Sequence, residues 1–258
     1  MLTDTHLHLD FLPAGPRLLD AARAAGIGAW IVPGVAPGQW PRLMARVAGT
    51  PGAWAAPGVH PHHAGEWRPE LAGELGGLLS EPRVVAIGEV GLDGQVGPEL
   101  AVQEDVFRQM IRLACARELP LLLHMRRAMG RVLTILAEEG AAEVGGIAHA
   151  FSGSLETARQ LIALGFALGI GGVATFPEAR RLETVIRTVP DEWLVLETDA
   201  PDLPPHPHRH EENRPEWLVL VAARVAELKG WLPEETARIT TCNARRVLRL
   251  PVEKDLTP

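Results

Sequence analysis

The chain has 258 residues, 47% of them apolar, which suits one large domain with a substantial core and matches the length of a single α/β barrel. Its 25 basic and 32 acidic residues leave a net charge of −7, and the sequence shows no obvious broad basic face of the kind that coats nucleic acid. No run of about 18 apolar residues occurs, so a membrane-spanning helix is excluded, and two distant cysteines, Cys115 and Cys242, build neither a disulfide framework nor a thiolate metal site.

Short apolar runs alternate with longer amphipathic ones. A strand is predicted over Leu2–Leu9 and a helix over Pro16–Ala25; strand Gly28–Pro33 leads to helix Gln39–Ala48, and strand Ala53–Val59 to helix Glu70–Leu79. Strand Val84–Val90 precedes helix Glu99–Glu118, strand Pro120–His124 precedes helix Arg127–Glu139, and strand Gly146–Ala150 precedes helix Ser154–Leu164. Strand Phe166–Gly171 is followed by helix Glu178–Thr188, and strand Trp193–Glu197 by helices Pro215–Leu228 and Pro233–Leu248. Ser154 after a glycine, and Pro215 and Pro233, mark helix starts. Near-continuous apolar strands indicate parallel pairing under a layer of helices. Eight strand–helix units predict an α/β fold, a TIM (β/α)8 barrel, as a single domain over residues 1–258; an open doubly wound sheet is the alternative. The polar loop Pro204–Asn213 carries His206, His208 and His210, read as a solvated loop rather than accessory ligands, and the seven scattered tryptophans read as packing.

Polar residues recur where strands end. In Asp4-Thr5-His6-Leu7-His8, strand alternation puts His6 and His8 on one face, about 7 Å apart, where they can share a metal. Glu89, in Ile87-Gly88-Glu89-Val90-Gly91, closes an apolar strand where a carboxylate is costly unless paired or metal-bound. His124 follows three leucines, with Arg126 two residues on. His149 ends another strand and runs into a small-residue turn, Phe151–Ser154, whose N–H groups could face an anion. Asp199 follows Leu194–Leu196 and shares parity with Glu197. Each residue alone also fits a satisfied core or turn role. Together they sit at the C-terminal ends of strands one, four, five, six and eight, the end where barrel enzymes keep their active sites. Four imidazoles and two carboxylates suffice for two divalent ions with positions left for water, and the absence of thiolates favours Zn, Mg, Mn, Fe or Co.

Those segments make the chain resemble the TatD family of metal-dependent hydrolases, within the amidohydrolase-like barrels. The resemblance rests on DTHLHLD (Asp4–Asp10), GVHPHH (Gly58–His63), IGEVGLD (Ile87–Asp93), LHMRRA (Leu123–Ala128), HAFSGS (His149–Ser154) and ETDAPDLP (Glu197–Pro204). ENRPE (Glu212–Glu216) and CNARRVL (Cys242–Leu248) fit too, and the APD and NRPE segments are most similar to its YjjV-like branch. The resemblance implies that His6, His8 and Asp199 bind one metal, that Glu89 bridges two, and that His124 and His149 hold the second. It implies that Asp199 orients or deprotonates water and that His62 and Arg126 contact substrate phosphate. Met125, Ala150 and Asp202 depart from the Ser, Cys and Tyr of many relatives, which bears on the substrate more than on the metals. A metal-bridging carboxylated lysine, common in the wider group, is not expected, because the only lysines are Lys229 and Lys254.

The expected activity is a metal-dependent hydrolase acting on ester bonds, a deoxyribonuclease or phosphodiesterase using two divalent ions (Zn, Mg or Mn), with DNA or another phosphoester as partner. Hydrolysis of an amide, or of an aminoacyl ester on tRNA, is the alternative, and a metal-stabilised scaffold without catalysis is a third reading. Met1–Asp4 places no basic stretch ahead of an apolar one, so a cytoplasmic protein without signal peptide, membrane or obligate protein partner is expected.

Overall fold

The computed structural model describes residues 1–12 and 16–250. Strands β1 (Leu2–Asp4), β2 (Ile27–Pro33) and β3 (Ala53–Ala56) pair in parallel in that order. Strands β4 (Ile87–Asp93), β5 (Leu121–Arg126), β6 (Gly146–Ala148), β7 (Phe166–Ile170) and β8 (Leu194–Leu196) form a second parallel sheet, also in chain order. Backbone hydrogen bonds join the sheets at both seams. Thr5 N–H donates to the Leu196 carbonyl at 2.9 Å, and Val85 N–H to the Ala55 carbonyl at 3.0 Å. The strands thus follow one another around a ring, with none of the order reversal of a doubly wound sheet.

Helices α1 (Pro16–Ala24), α2 (Trp40–Ala48), α3 (Leu71–Leu78), α4 (Leu100–Arg117), α5 (Met129–Glu138), α6 (Leu155–Ala163), α7 (Arg180–Thr188) and α8 (Leu218–Lys229) follow the strands in turn. Strand alternation divides the core. Trp30, Val32, Leu121, Leu123, Phe166 and Leu168 belong to the cluster shared with these helices. Ile31, Trp54, Leu122, Ile147, Ala167 and Val195, of opposite parity, fill the interior together with Ala244, Val247 and Leu248 of α9 (Pro233–Val247) and its end. Asn243 also donates to the Leu194 carbonyl at the start of β8 (2.9 Å). Helix α9 therefore plugs the N-terminal end of the barrel and leaves the C-terminal end for chemistry.

Several expected bounds shift: β3 ends at Ala56 rather than Val59, and β4 runs Ile87–Asp93 rather than Val84–Val90, so that Glu89 lies near its start instead of closing it. The helix predicted from Pro215 opens with a 3-10 turn at Pro215–Trp217 before α8. The first strand, predicted to reach Leu9, ends at Asp4. The Asp4 carboxylate is fully buried and accepts N–H bonds from His6 (3.2 Å) and Thr198 (2.9 Å) and the Thr198 hydroxyl (2.6 Å). These bonds replace the ladder and tie β1 to the end of β8. Burial pushes the Asp4 pKa up to about 7, more than the Thr198 and His6 hydrogen bonds pull it down. The folded chain thus holds a proton that the unfolded chain loses near 3.8, so the associated stability is present in full below that value and lost as pH rises through about 7. Asp4→Asn is expected to flatten the fall in melting temperature between pH 5 and 8; an unchanged slope would show that Asp4 does not titrate in this window.

Candidate metal centre

Six side chains selected from the sequence converge at the C-terminal mouth of the barrel. His6 and His8 lie on the extended segment beyond β1 rather than on the strand, with ring centroids 5.1 Å apart. His6 stacks on His149 at 3.5 Å. Glu89, in β4, has its two oxygens facing different partners. Its Oε2 faces His6 Nε2 (3.3 Å) and His8 Nε2 (3.9 Å). Its Oε1 faces His124 Nδ1 (2.7 Å) and His149 Nε2 (3.9 Å). Asp199 Oδ1 lies 3.5 Å from both His8 Nε2 and His149 Nε2, and 3.7 Å from His6 Nε2. Among the described residues, three sets have ligand atoms close enough to hold a cation: His6, His149 and Asp199; His6, His8 and Glu89; and His60, Glu89 and His124.

The donor set fits a divalent metal. His6 Nε2, the atom that faces Glu89 and Asp199, is buried without a hydrogen-bond partner. An orphaned polar atom of this kind costs about 1–3 kcal/mol, which a coordinated cation offsets. Burial, followed by the neighbouring His149, lowers the His6 pKa and keeps its imidazole in the neutral form that ligates. Burial would raise Glu89, but His60, His6 and His149 outweigh it and hold the carboxylate well below its ordinary range. Burial likewise opposes the charge on His149, yet Glu197, Asp199 and Glu89 raise it to about 10. In the metal-free protein His149 therefore keeps a proton that an arriving cation must displace.

Around this centre lies a supporting layer. Glu197 Oε1 sits 2.9 Å from His149 Nδ1 and accepts the Ala150 N–H at 2.6 Å. A carboxylate on one imidazole nitrogen aims the other at the metal, and losing such a partner typically costs about 10–100-fold in metal affinity. Glu197 fits only because residue 169 is glycine: a Cβ there would lie 2.2 Å from Glu197 Oε2. Gly169→Ala is accordingly expected to weaken manganese binding by about 10–100-fold in a calorimetric titration. Unchanged affinity would mean that Glu197 does not orient His149. Asn213 secures the opposite side by donating to the Thr198 and Asp202 carbonyls, both at 2.7 Å.

The centre floors a cleft of about 560 Å³. His62, Arg126 and Asp202 line it, with Phe11 and Leu203 exposed at its rim. His62 Nε2 is 2.8 Å and Arg126 Nη1 3.9 Å from Asp93 Oδ2. Asp93 accepts the Gln95 and Val96 N–H groups and stays ionised, with its pKa near 2: burial opposes the charge, but His62 and those N–H groups prevail. Asp202 has no ion-pair partner among the described residues. Arg127, Ala150, Asp199 and Leu203 all adopt left-handed φ angles of 45–63° around the cleft. Such strain costs about 1–3 kcal/mol per residue and clusters at functional sites.

Sequence reading takes His62 from GVHPHH; the structure adds His60, buried beside Glu89 and His124. Its signal was available, since it too follows an apolar strand. Glu197 carries in the sequence only the signal of its parity with Asp199. The turn after His149 does not offer all its N–H groups to an anion, because that of Ala150 serves Glu197 and that of Phe151 the Gly169 carbonyl. None of His206, His208 and His210 joins the centre; His208 pairs with Glu211 and stacks on Trp217. Lys229 on α8 pairs with Asp191, and Lys254 lies outside the described residues. Cys115 and Cys242 are free thiols, and among the described residues no helix is long and apolar enough to cross a membrane.

The family model for TatD-related DNases matches residues 3–249. The uncharacterized metal-dependent hydrolase YabD of Bacillus subtilis is 45% identical over 175 residues, covering 67% of this chain and 68% of its own. The uncharacterized metal-dependent hydrolase YjjV of Escherichia coli is 33% identical over 255 residues, covering 96% of this chain and 98% of its own. The crystal structure of YjjV, a TatD homologue, superposes with a TM-score of 0.90 at 32% identity, over 97% of this chain and 98% of that one. A barrel whose C-terminal mouth gathers four imidazoles and two carboxylates, matched along almost its whole length, belongs to the TatD family of metal-dependent hydrolases.

Proposed function

We propose that the chain is a phosphodiesterase acting on DNA or a related strand through two divalent cations. The observation that carries this reading is Glu89, whose two oxygens face separate sets of imidazole nitrogens. His6, His8 and Asp199 would complete one site, and His124 and His149 the other. Bound there, zinc, magnesium or manganese supplies Lewis-acid activation of water and of the phosphoryl oxygens. Asp199, ionised at the cleft floor, accepts the proton of the attacking water on a carboxylate oxygen. Arg126, whose Nη1 lies 3.9 Å from Asp93, presents guanidinium N–H groups to the phosphate, and His62, its Nε2 held on Asp93 at 2.8 Å, lines the same side of the cleft. The acidic net charge suits a strand held at a short stretch rather than along a basic track.

One observation favours a second reading. The unpaired carboxylate of Asp202 beside the cleft repels phosphate and suits an ammonium group, as in an aminoacyl ester or an amide. Metal-stripped protein reconstituted with magnesium, manganese or zinc should be offered an end-labelled single-stranded DNA and, separately, an aminoacyl ester. Shortening of the DNA supports the first reading. Turnover of the ester alone supports the second, and turnover of neither with any metal rejects both.

A further inference from the structure

The large aromatic side chains are five phenylalanines and seven tryptophans, with no tyrosine. All but one are buried or half-buried, as packing requires; the exception is Phe11, 38% exposed. A lone exposed apolar side chain needs no explanation in itself, but this one lines the cleft over the metal centre. Its ring lies against that of His8, with centroids 5.5 Å apart and planes tilted by 33°. Its N–H donates to the His8 carbonyl at 2.9 Å, which closes a turn directly beyond the histidine pair. Helix α2 clamps that turn. Arg46 Nε donates to the Leu9 carbonyl at 3.2 Å, Arg42 donates to the Asp10 carbonyl, and the Arg42 guanidinium carbon stands 5.4 Å from the Phe11 ring centroid. These contacts position the ring without covering it, and its remaining apolar surface faces water until a planar partner arrives.

We propose that the open face of Phe11 is a stacking platform for a nucleobase, that of the nucleotide whose phosphate lies at the metal centre. One sugar separates phosphate from base, and one turn separates His8 from Phe11, so a strand bound through its phosphate brings a base to this ring. Every base has a π-face, so the contact is indifferent to sequence. The Arg42 guanidinium beside the ring adds local positive charge in a protein whose net charge is −7. One aromatic and one cationic group at a single turn thus take the place of a long electrostatic footprint. The inference rests on the nucleic-acid substrate proposed above, but not on which bond is cut.

The test uses the manganese-loaded full chain and two probes without a phosphodiester: deoxyadenosine monophosphate, and deoxyribose phosphate, which is the same nucleotide lacking its base. Affinities are measured by calorimetry, and bound manganese is counted per chain. The unsubstituted protein is expected to bind the nucleotide about tenfold or more tightly than deoxyribose phosphate, the effect of one stacked base. Phe11→Ala and Phe11→Leu should lose that preference while keeping the manganese count and the affinity for deoxyribose phosphate, whereas Phe11→Trp should retain it. Leucine separates a planar contact from a merely apolar one. Equal affinities for the two probes in the unsubstituted protein would overturn the proposal, as would a preference that survives in Phe11→Ala or Phe11→Leu. Loss of manganese in either variant would make the ring a support for His8 and overturn it as well. Failure of the phosphodiesterase reading is a separate event, seen as intact DNA in the unsubstituted protein, and it leaves both affinities readable.

Discussion

Glu89→Gln is expected to lower metal-dependent turnover by about a thousandfold or more, equivalent to about 4 kcal/mol of barrier. The substitution barely changes shape. It replaces one carboxylate oxygen by an amide nitrogen, which has no lone pair for a cation and carries protons toward whichever imidazoles it faces. Glu89 Oε2 serves His6 and His8, whereas Oε1 serves His124, so either orientation of the amide abandons one set. The buried environment makes the loss severe, because Glu89 is only 2% exposed and water cannot substitute for the missing oxygen. Manganese stoichiometry should fall together with the rate. A variant with full turnover and an undiminished metal count would remove the bridging role and, with it, the two-metal reading.

The centre was legible in the sequence because its residues violate the local pattern. Leu121-Leu122-Leu123 and Leu194-Val195-Leu196 are runs that parallel strands bury on both faces; His124 interrupts the first while β5 runs on to Arg126, and Asp199 follows the second. The repetition of that violation at several strand ends, together with strand–helix alternation, implied the barrel and the end at which it works. What escaped was set by partners remote in sequence. The early end of β1 depends on Thr198, 194 residues away from Asp4. The role of Glu197 depends on His149 and on the space left by Gly169. His60 escaped for another reason: its neighbour His62 shares the same motif, and only the turn geometry shows which ring faces Glu89.

Asp199→Asn is expected to reduce the turnover number by about 10²–10⁴-fold, the usual contribution of a positioned acid or base, even when manganese is saturating. The site's backbone makes asparagine the informative replacement. Asp199 sits at φ 63°, a left-handed conformation that asparagine tolerates better than any other uncharged non-glycine residue, so the turn leading to Ala200 and Pro201 should survive. The amide carbonyl can still approach a cation, although more weakly than a carboxylate, so manganese affinity should fall as well. That fall is reversible by mass action, whereas the loss of a proton acceptor is not. In the native chain burial pushes the Asp199 pKa upward, but His149, His8 and His6 prevail and keep it below the ordinary range, so the group is poised as an ionised acceptor. Excess manganese should therefore refill the centre without restoring the rate. Full recovery at high manganese would show that Asp199 only holds metal and that the water proton leaves by another route.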